Sequence, residues 1–242
     1  MKNEPQKSFL DPAALPDAHK YFIEQGLQFQ ELMMMYNCAI REVRTKLEVL
    51  NDELSIRHQR NPIEFITSRI KRPRSIIEKL QRYGAPITVE AVEQYLSDVA
   101  GIRVICPFID DIYDVAEMLL KQDDITLIKK KDYIQNPKPN GYRSLHLIIE
   151  IPVFFSDQKK HMRVEVQIRT IAMDFWSSVD HQLKYKKDVA NPEEISAELK
   201  ACADIIAETD AKMLAIKNKI YAEEAQNLST LEKLDKMELP NL

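Results

Sequence analysis

Cations, tyrosines and carboxylates fall at spacings that suit phosphate chemistry in four stretches of this chain. Residues 131–146 hold Lys131, Lys138 and Arg143 beside Tyr133, Tyr142 and His146. Cations suit phosphate and a flat aromatic face suits a base, so the set points to a nucleotide. The same composition also serves a polar hairpin loop whose tyrosines pack down on a sheet. Arg69, Lys71, Arg72 and Arg74 place four cations within six residues, followed by Ser75 as a helix N-cap before Ile76. Free N–H groups and the helix dipole add to such cations and make an anion site; the alternative is a solvated basic turn. Asp98 stands at the mouth of the apolar strand Val104-Ile105-Cys106, with Gly101 permitting close approach. It reads as a magnesium ligand or as a turn carboxylate. Residues 162–169 alternate strictly, with Met162, Val164, Val166 and Ile168 on one side and Arg163, Glu165, Gln167 and Arg169 on the other. A sheet covered by helices leaves that polar row two places, a solvated edge or the lining of a site.

The elements that must position these groups follow from periodicity. Leu32, Tyr36, Ala39, Ile40, Val43, Leu47 and Leu50 recur at helical spacing and predict a helix from His19 to about His58. A strand is expected over 63–68, helices from Ile76, over 88–96 and over 110–121, and strands over 104–106 and 125–128. Two prolines and Asn140-Gly141 make 131–144 an ordered loop. A strand over 145–149, a surface turn over 152–160 and the strand 162–169 follow, then a helix from Thr170 to Tyr185. Residues 192–225 form a long amphipathic helix, with Leu199, Ile205, Ile206, Met213, Leu214 and Ile220 spaced for a core or a partner. The chain thus divides into a flexible arm over 1–18, a helical segment over 19–60, a sheet-bearing domain over 61–190 and a helical segment over 191–242. The class is α/β in the α+β sense, a mixed β-sheet core flanked by helices, with helical extensions at both ends.

Composition sets limits on function. A chain of 242 residues with net charge −4 is not a generic nucleic-acid binder held by bulk charge, so any anion site is a local cluster. Cys38, Cys106 and Cys202 lie far apart, giving neither a zinc pattern nor a disulfide framework, which fits a reducing cytoplasm. The start Met1-Lys2-Asn3-Glu4-Pro5 lacks an apolar stretch and no run of 18 apolar residues occurs, so neither secretion nor membrane spanning is expected.

Several blocks together resemble the synthetase domain of RelA/SpoT-type alarmone synthetases. They are Arg69-Ile70-Lys71 with Ser75 and Lys79; Asp98-Val99-Ala100-Gly101-Ile102-Arg103; Lys131-Asp132-Tyr133 with Lys138, Asn140-Gly141-Tyr142-Arg143 and His146; and Glu165-Val166-Gln167-Ile168-Arg169-Thr170 with Trp176. The length leaves no room for the hydrolase and regulatory regions of the long relatives, so the chain resembles a small, stand-alone synthetase with a nucleotidyltransferase-like fold. Such enzymes use Mg²⁺ and move the β,γ-pyrophosphate of ATP to the 3′-hydroxyl of GTP or GDP, leaving AMP. The resemblance implies that Arg69 and Arg103 sandwich adenine. Lys71, Ser75 and Lys79 would hold the ATP phosphates. Asp98 and Glu165 would hold the metal, with Glu165 a candidate base on the 3′-hydroxyl. Lys131, Lys138, Tyr142, His146 and Gln167 would form the acceptor site, with Tyr142 stacked on guanine, so that Tyr142→Phe would be nearly silent.

It also implies a homo-oligomer, a tetramer as in similar small synthetases, with a regulatory nucleotide or single-stranded RNA as a further partner. Glu64-Phe65-Ile66-Thr67 matches a segment that, with the first helix, lines a second nucleotide site between subunits in product-activated relatives, and Arg44 and Lys46 could supply charge there. Glu48, however, stands where a cation is expected, which argues against product activation. Two other activities share parts of this pattern. A tRNA 3′-end pyrophosphotransferase would need a basic surface patch in place of the Lys131, Lys138 and His146 set. A non-catalytic alarmone- or RNA-binding module would have lost Asp98 or Glu165.

Overall fold

The computed structural model describes residues 17–57, 60–184 and 191–237; all but the last two residues of the expected arm, and Tyr185, lie outside them. Its first element is the long helix that the apolar spacing demands, α1 (Asp17–Arg57). Leu32, Met35, Tyr36, Ala39, Ile40, Val43 and Leu47 share one face of it and are buried. The remaining elements are β1 (Phe65–Ile70), α2 (Pro73–Arg82), α3 (Val89–Tyr95), β2 (Ala100–Cys106), α4 (Ile109–Leu120), β3 (Thr126–Asp132), β4 (Leu145–Phe154), β5 (Lys159–Thr170), α5 (Ile171–Lys184) and α6 (Pro192–Met237).

The five strands form one mixed sheet in the order β1-β2-β5-β4-β3. Only β2 and β5 run parallel; the other pairs are antiparallel. Because side chains alternate along a strand, the sheet has two chemically different faces. Ala100, Ile102, Val104, Leu145, Leu147, Ile149, Ile151, Met162, Val164, Val166 and Ile168 are at most 2 % exposed. They meet α1 and the Ile112, Val115 and Leu119 side of α4 in one core. Each large aliphatic side chain buried there contributes roughly 1.5–3 kcal/mol. The opposite face of β1, β2 and β5 is polar. Since β5 is the middle strand, its polar row is not at a solvated edge; it lines a site.

Several expected boundaries shift, each for a local reason. Helix α2 begins at Pro73, and its cap position, Arg72, makes no side-chain capping bond. Ser75 is therefore inside the first turn rather than the N-cap, because the locked φ of Pro73 suits the first helical position. Lys131 is not a loop residue; pairing with β4 draws Lys129, Lys130 and Lys131 into β3, an edge strand where exposed lysines are favoured. The turn expected over 152–160 shrinks to 155–158, closed by the Phe155 N–H donating to Gln158 O at 2.8 Å. Pro152 stays within β4 because β3 pairs only as far as Glu150, leaving one edge unpaired where proline is tolerated. Strand β2 begins at Ala100 and β1 ends at Ile70, so Gly101, Arg103 and Arg69 are strand residues. Helix α6 runs on to Met237 rather than stopping near 225.

Helix α6 docks on its own chain through polar contacts. The Trp176 indole donates to Leu199 O at 2.8 Å, the Thr170 hydroxyl to Asp210 at 2.6 Å, and Lys217 to Asp110 at 2.6 Å.

Candidate active site

The polar face is ordered by register. One row across the sheet holds Arg69, Gly101 and Glu165; the next holds Thr67, Arg103, Gln167, His146 and Lys131. Thr67, Arg69, Asp98, Gly101, Arg103, Glu165 and Gln167 line a cleft of about 140 Å³. Arg69 and Arg103 are diagonal neighbours on adjacent strands, a relation that separates residues by about 7–8 Å. Gly101 lies beneath Arg69, and a Cβ built there would come within 3.7 Å of Arg69 Cγ.

Asp98 sits just before β2, where Lys71 and Lys79 converge on it. Both ammonium groups lie 2.8 Å from Oδ2. Burial alone would raise this carboxyl, but the two lysines together hold it below the usual carboxylate range. Oδ1 is buried and receives no hydrogen bond from the described residues. A buried anionic oxygen without a donor is costly, and it is the natural place for a cation. Among the described residues no group of three or more His, Cys, Asp or Glu side chains could hold a metal. Two carboxylates in one cleft nevertheless fit Mg²⁺, which keeps several waters and takes its remaining oxygens from substrate phosphates. Ser75 lies one turn before Lys79 on the same side of α2.

Glu165 is held from two directions. His146 Nδ1 lies 3.3 Å from Oε1, and the Gln167 amide donates to Oε2 at 2.9 Å. Burial pushes this carboxyl up, but the contacts from His146 and Gln167 outweigh it and keep it below its ordinary range. Glu165 is therefore ionised at neutral pH, ready to bind a cation or accept a proton. The loop that follows β3 supplies the other wall. The Tyr142 hydroxyl sits 2.8 Å from His146 Nε2, and the two rings meet edge to face. The Lys138 ammonium lies 4.7 Å from the ring centroids of both Tyr133 and Tyr142. Lys131 is paired with His146 across β3 and β4. The loop is fixed to α6: Arg143 donates to Ile134 O at 3.2 Å and lies 3.4 Å from Asp204, and Gly141 packs against Lys200 and Ala203.

The structure thus gathers Arg69, Asp98, Arg103, Glu165 and Gln167 in one cleft, with Lys71 and Lys79 on Asp98 and His146 on Glu165. Tyr142 and Lys138 are joined to His146; Lys131 is tied to them only by strand register, and Ser75 by its place on α2. The expected regulatory residues lie apart within one chain. Thr67 lines the catalytic cleft, while Arg44 is paired with Glu48 at 2.7 Å and Lys46 with Asp124 at 2.8 Å. Two residues escaped the sequence reading of the site. Arg169 donates to Tyr142 and Gln167, and Asp174 lies 3.1 Å from both Arg103 and Arg169. The alternation that singled out Glu165 and Gln167 also marked Arg169; nothing local marked Asp174.

Residues 68–190 match the model of a region found in RelA / SpoT proteins. The chain is 45% identical to the GTP pyrophosphokinase YwaC of Bacillus subtilis (strain 168) over 188 residues, 78% of this chain and 90% of that one. It superimposes on small alarmone synthetase 2 of the same species with a TM-score of 0.71 and 43% identity, covering 79% of this chain and 98% of that one. Small alarmone synthetase 1 from that species, bound to its product pppGpp, gives a TM-score of 0.73 at 35% identity, covering 80% and 98%.

Proposed function

The chain belongs to the RelA/SpoT family, and from that premise we propose that it is a GTP pyrophosphokinase, moving the β,γ-pyrophosphate of ATP to the 3′-hydroxyl of GTP or GDP. The observation that carries this reading is one cleft lined by Arg69, Asp98, Arg103, Glu165 and Gln167, with Glu165 and Gln167 in contact with His146 and Arg169 of the Tyr142 network. Arg69 and Arg103 grip the adenine, while Lys71, Ser75 and Lys79 meet the phosphates. Tyr142 offers its ring to guanine, with Lys131, Lys138 and His146 near the acceptor phosphates. Glu165 takes the proton of the 3′-hydroxyl. The 3′-oxygen then forms a bond to the β-phosphorus of ATP as the bond from that phosphorus to the α,β-bridging oxygen breaks, and AMP leaves with the electron pair. Asp98 and Glu165 would hold Mg²⁺, which supplies neutralisation of the pyrophosphate charge.

The enzyme works as a homo-oligomer, a tetramer. Ile205 is 64 % exposed on α6, and Met213, Ile216 and Ile220 are each about half exposed, a large apolar surface for one protomer. Its three free thiols suit the cytoplasm. Arg44 and Lys46 already hold carboxylates, which favours an enzyme not activated by its product.

Thin-layer chromatography of γ-labelled ATP with GTP, GDP or tRNA tests the activity. Label is expected in a guanine nucleotide, with AMP formed in equal amount. Release of ADP and orthophosphate, or label passing only to tRNA, would overturn the assignment.

A further inference from the structure

Arg169 is 2 % exposed, so it reaches no substrate, yet it carries a charge that burial makes expensive. Burial accordingly lowers its pKa, an effect only partly offset by its partners. Its guanidinium spans the site. Nη2 donates to the Tyr142 hydroxyl at 2.9 Å and to Gln167 Oε1 at 2.7 Å, on the acceptor side. Nη1 lies 3.1 Å from Asp174 Oδ1. That same oxygen lies 3.1 Å from Arg103 Nη1, on the adenine side. The turn from β5 into α5 that separates Arg169 from Asp174 is itself pinned. The Met173 N–H donates to the Thr170 hydroxyl at 3.1 Å, and that hydroxyl donates to Asp210.

We propose that Arg169 and Asp174 are positioning residues that couple the two nucleotide subsites, so that a purine held by Arg103 tightens the grip of Tyr142 on the acceptor. This rests on the donor and acceptor assignment given above. The physical basis is the shared oxygen. Arg103 and Arg169 compete for and mutually restrain one carboxylate atom, so fixing Arg103 against a ring narrows the positions open to Asp174. Arg169 and the tyrosine it holds are narrowed with it. The second ligand then orders a site that is already partly ordered, which is positive linkage. Linkage is reciprocal, so the acceptor must tighten ATP by the same factor.

Isothermal titration of GDP tests this, with and without saturating α,β-methylene-ATP, whose bridge cannot be cleaved. In the wild-type protein the analogue is expected to lower the Kd for GDP by about 5- to 150-fold, the usual span of such couplings. Asp174→Asn removes the charge that both guanidinium groups share, and Arg169→Lys keeps the charge but cannot reach Tyr142, Gln167 and Asp174 together. Each should bring the ratio of the two Kd values close to one. A residue that merely supports the fold would lower the melting temperature and weaken both ligands, with the ratio preserved; that result overturns the proposal. So does a wild-type ratio of one. If Arg169→Lys fails to fold, Asp174→Asn and Asp174→Glu decide, the latter keeping the charge while displacing the shared oxygen. Failure of the wild-type protein to bind either nucleotide is a different outcome, seen before any variant is made, and it removes the functional assignment itself.

Discussion

The Tyr142 hydroxyl lies 2.8 Å from His146 Nε2, so the tyrosine expected to stack on guanine is also a polar link in the site. With Arg169 donating to the same oxygen, the hydroxyl joins Arg169 to the imidazole that touches Glu165. Tyr142→Phe is therefore expected to weaken the acceptor site, where stacking alone would leave it nearly unchanged. Loss of a buried hydrogen bond of about 0.5–1.5 kcal/mol predicts a fall of roughly 2- to 13-fold in kcat/KM for the acceptor. Tyr142→Ala should fall further, since stacking adds about 1–3 kcal/mol. Steady-state kinetics with GDP as the varied substrate measures both. A phenylalanine enzyme equal to wild type would show that the hydroxyl is idle.

Glu165→Gln and Asp98→Asn should each abolish turnover while the protein stays folded. Removing a general base costs about 10²–10⁴-fold, and losing a metal ligand can cost more. Initial rates alongside circular dichroism separate chemistry from folding. Activity within a few-fold of wild type for Glu165→Gln would end its assignment as base or ligand.

Both carboxyls have folded-state pKa values below their ordinary ones, which gives a signed prediction for stability. A depressed carboxyl stabilises the folded state above its unfolded pKa, about 3.9 for Asp and 4.3 for Glu. That contribution is lost as pH falls through the depressed folded value. For Asp98 the stabilisation comes from Lys71 and Lys79, and Asp98→Asn leaves those two ammonium groups facing each other. Urea melts should show wild type more stable than Asp98→Asn at neutral pH, with the difference shrinking in acid. A difference that grows on acidification contradicts the assignment.

Gly141 has φ +87°, and a Cβ built there would lie 2.5 Å from Ala203 Cβ on α6. Gly141→Ala should cost about 1–3 kcal/mol from the backbone strain alone, and more from the clash. Adding Ala203→Gly should recover only the clash. Denaturant melts of the single and double variants measure the partition; a Gly141→Ala protein as stable as wild type would mean that the loop does not rest on α6.

The exposed apolar side chains of α6 predict self-association. Ile205→Glu combined with Ile216→Glu should shift the mass measured by light scattering toward a single chain of 28.2 kDa with little change in the folded protomer. A wild-type protein already monomeric at micromolar concentration refutes the assembly.

Much of this protein could be read from its residues alone. Period-two alternation in β5 and helical spacing in α1 and α4 depend only on local order, and so do the identities of the cations, carboxylates and tyrosines. These were enough to outline the sheet, the buried face of α1 and the local anion and carboxylate candidates, while the resemblance to RelA/SpoT-type synthetases singled out Arg103 and gave Glu165 its role. Boundaries failed where two signals competed: Pro73 overrode Ser75 as the start of α2, and pairing with β4 overrode the loop character of Lys131. What the order of residues could not reveal was contact across the fold. That β5 is the central strand, that Lys71 and Lys79 share one oxygen of Asp98, and that Asp174 links Arg103 to Arg169 all depend on register and on the docking of α2 and α5. Those are long-range geometries that no local period encodes, and they turn a set of suitable side chains into a connected site.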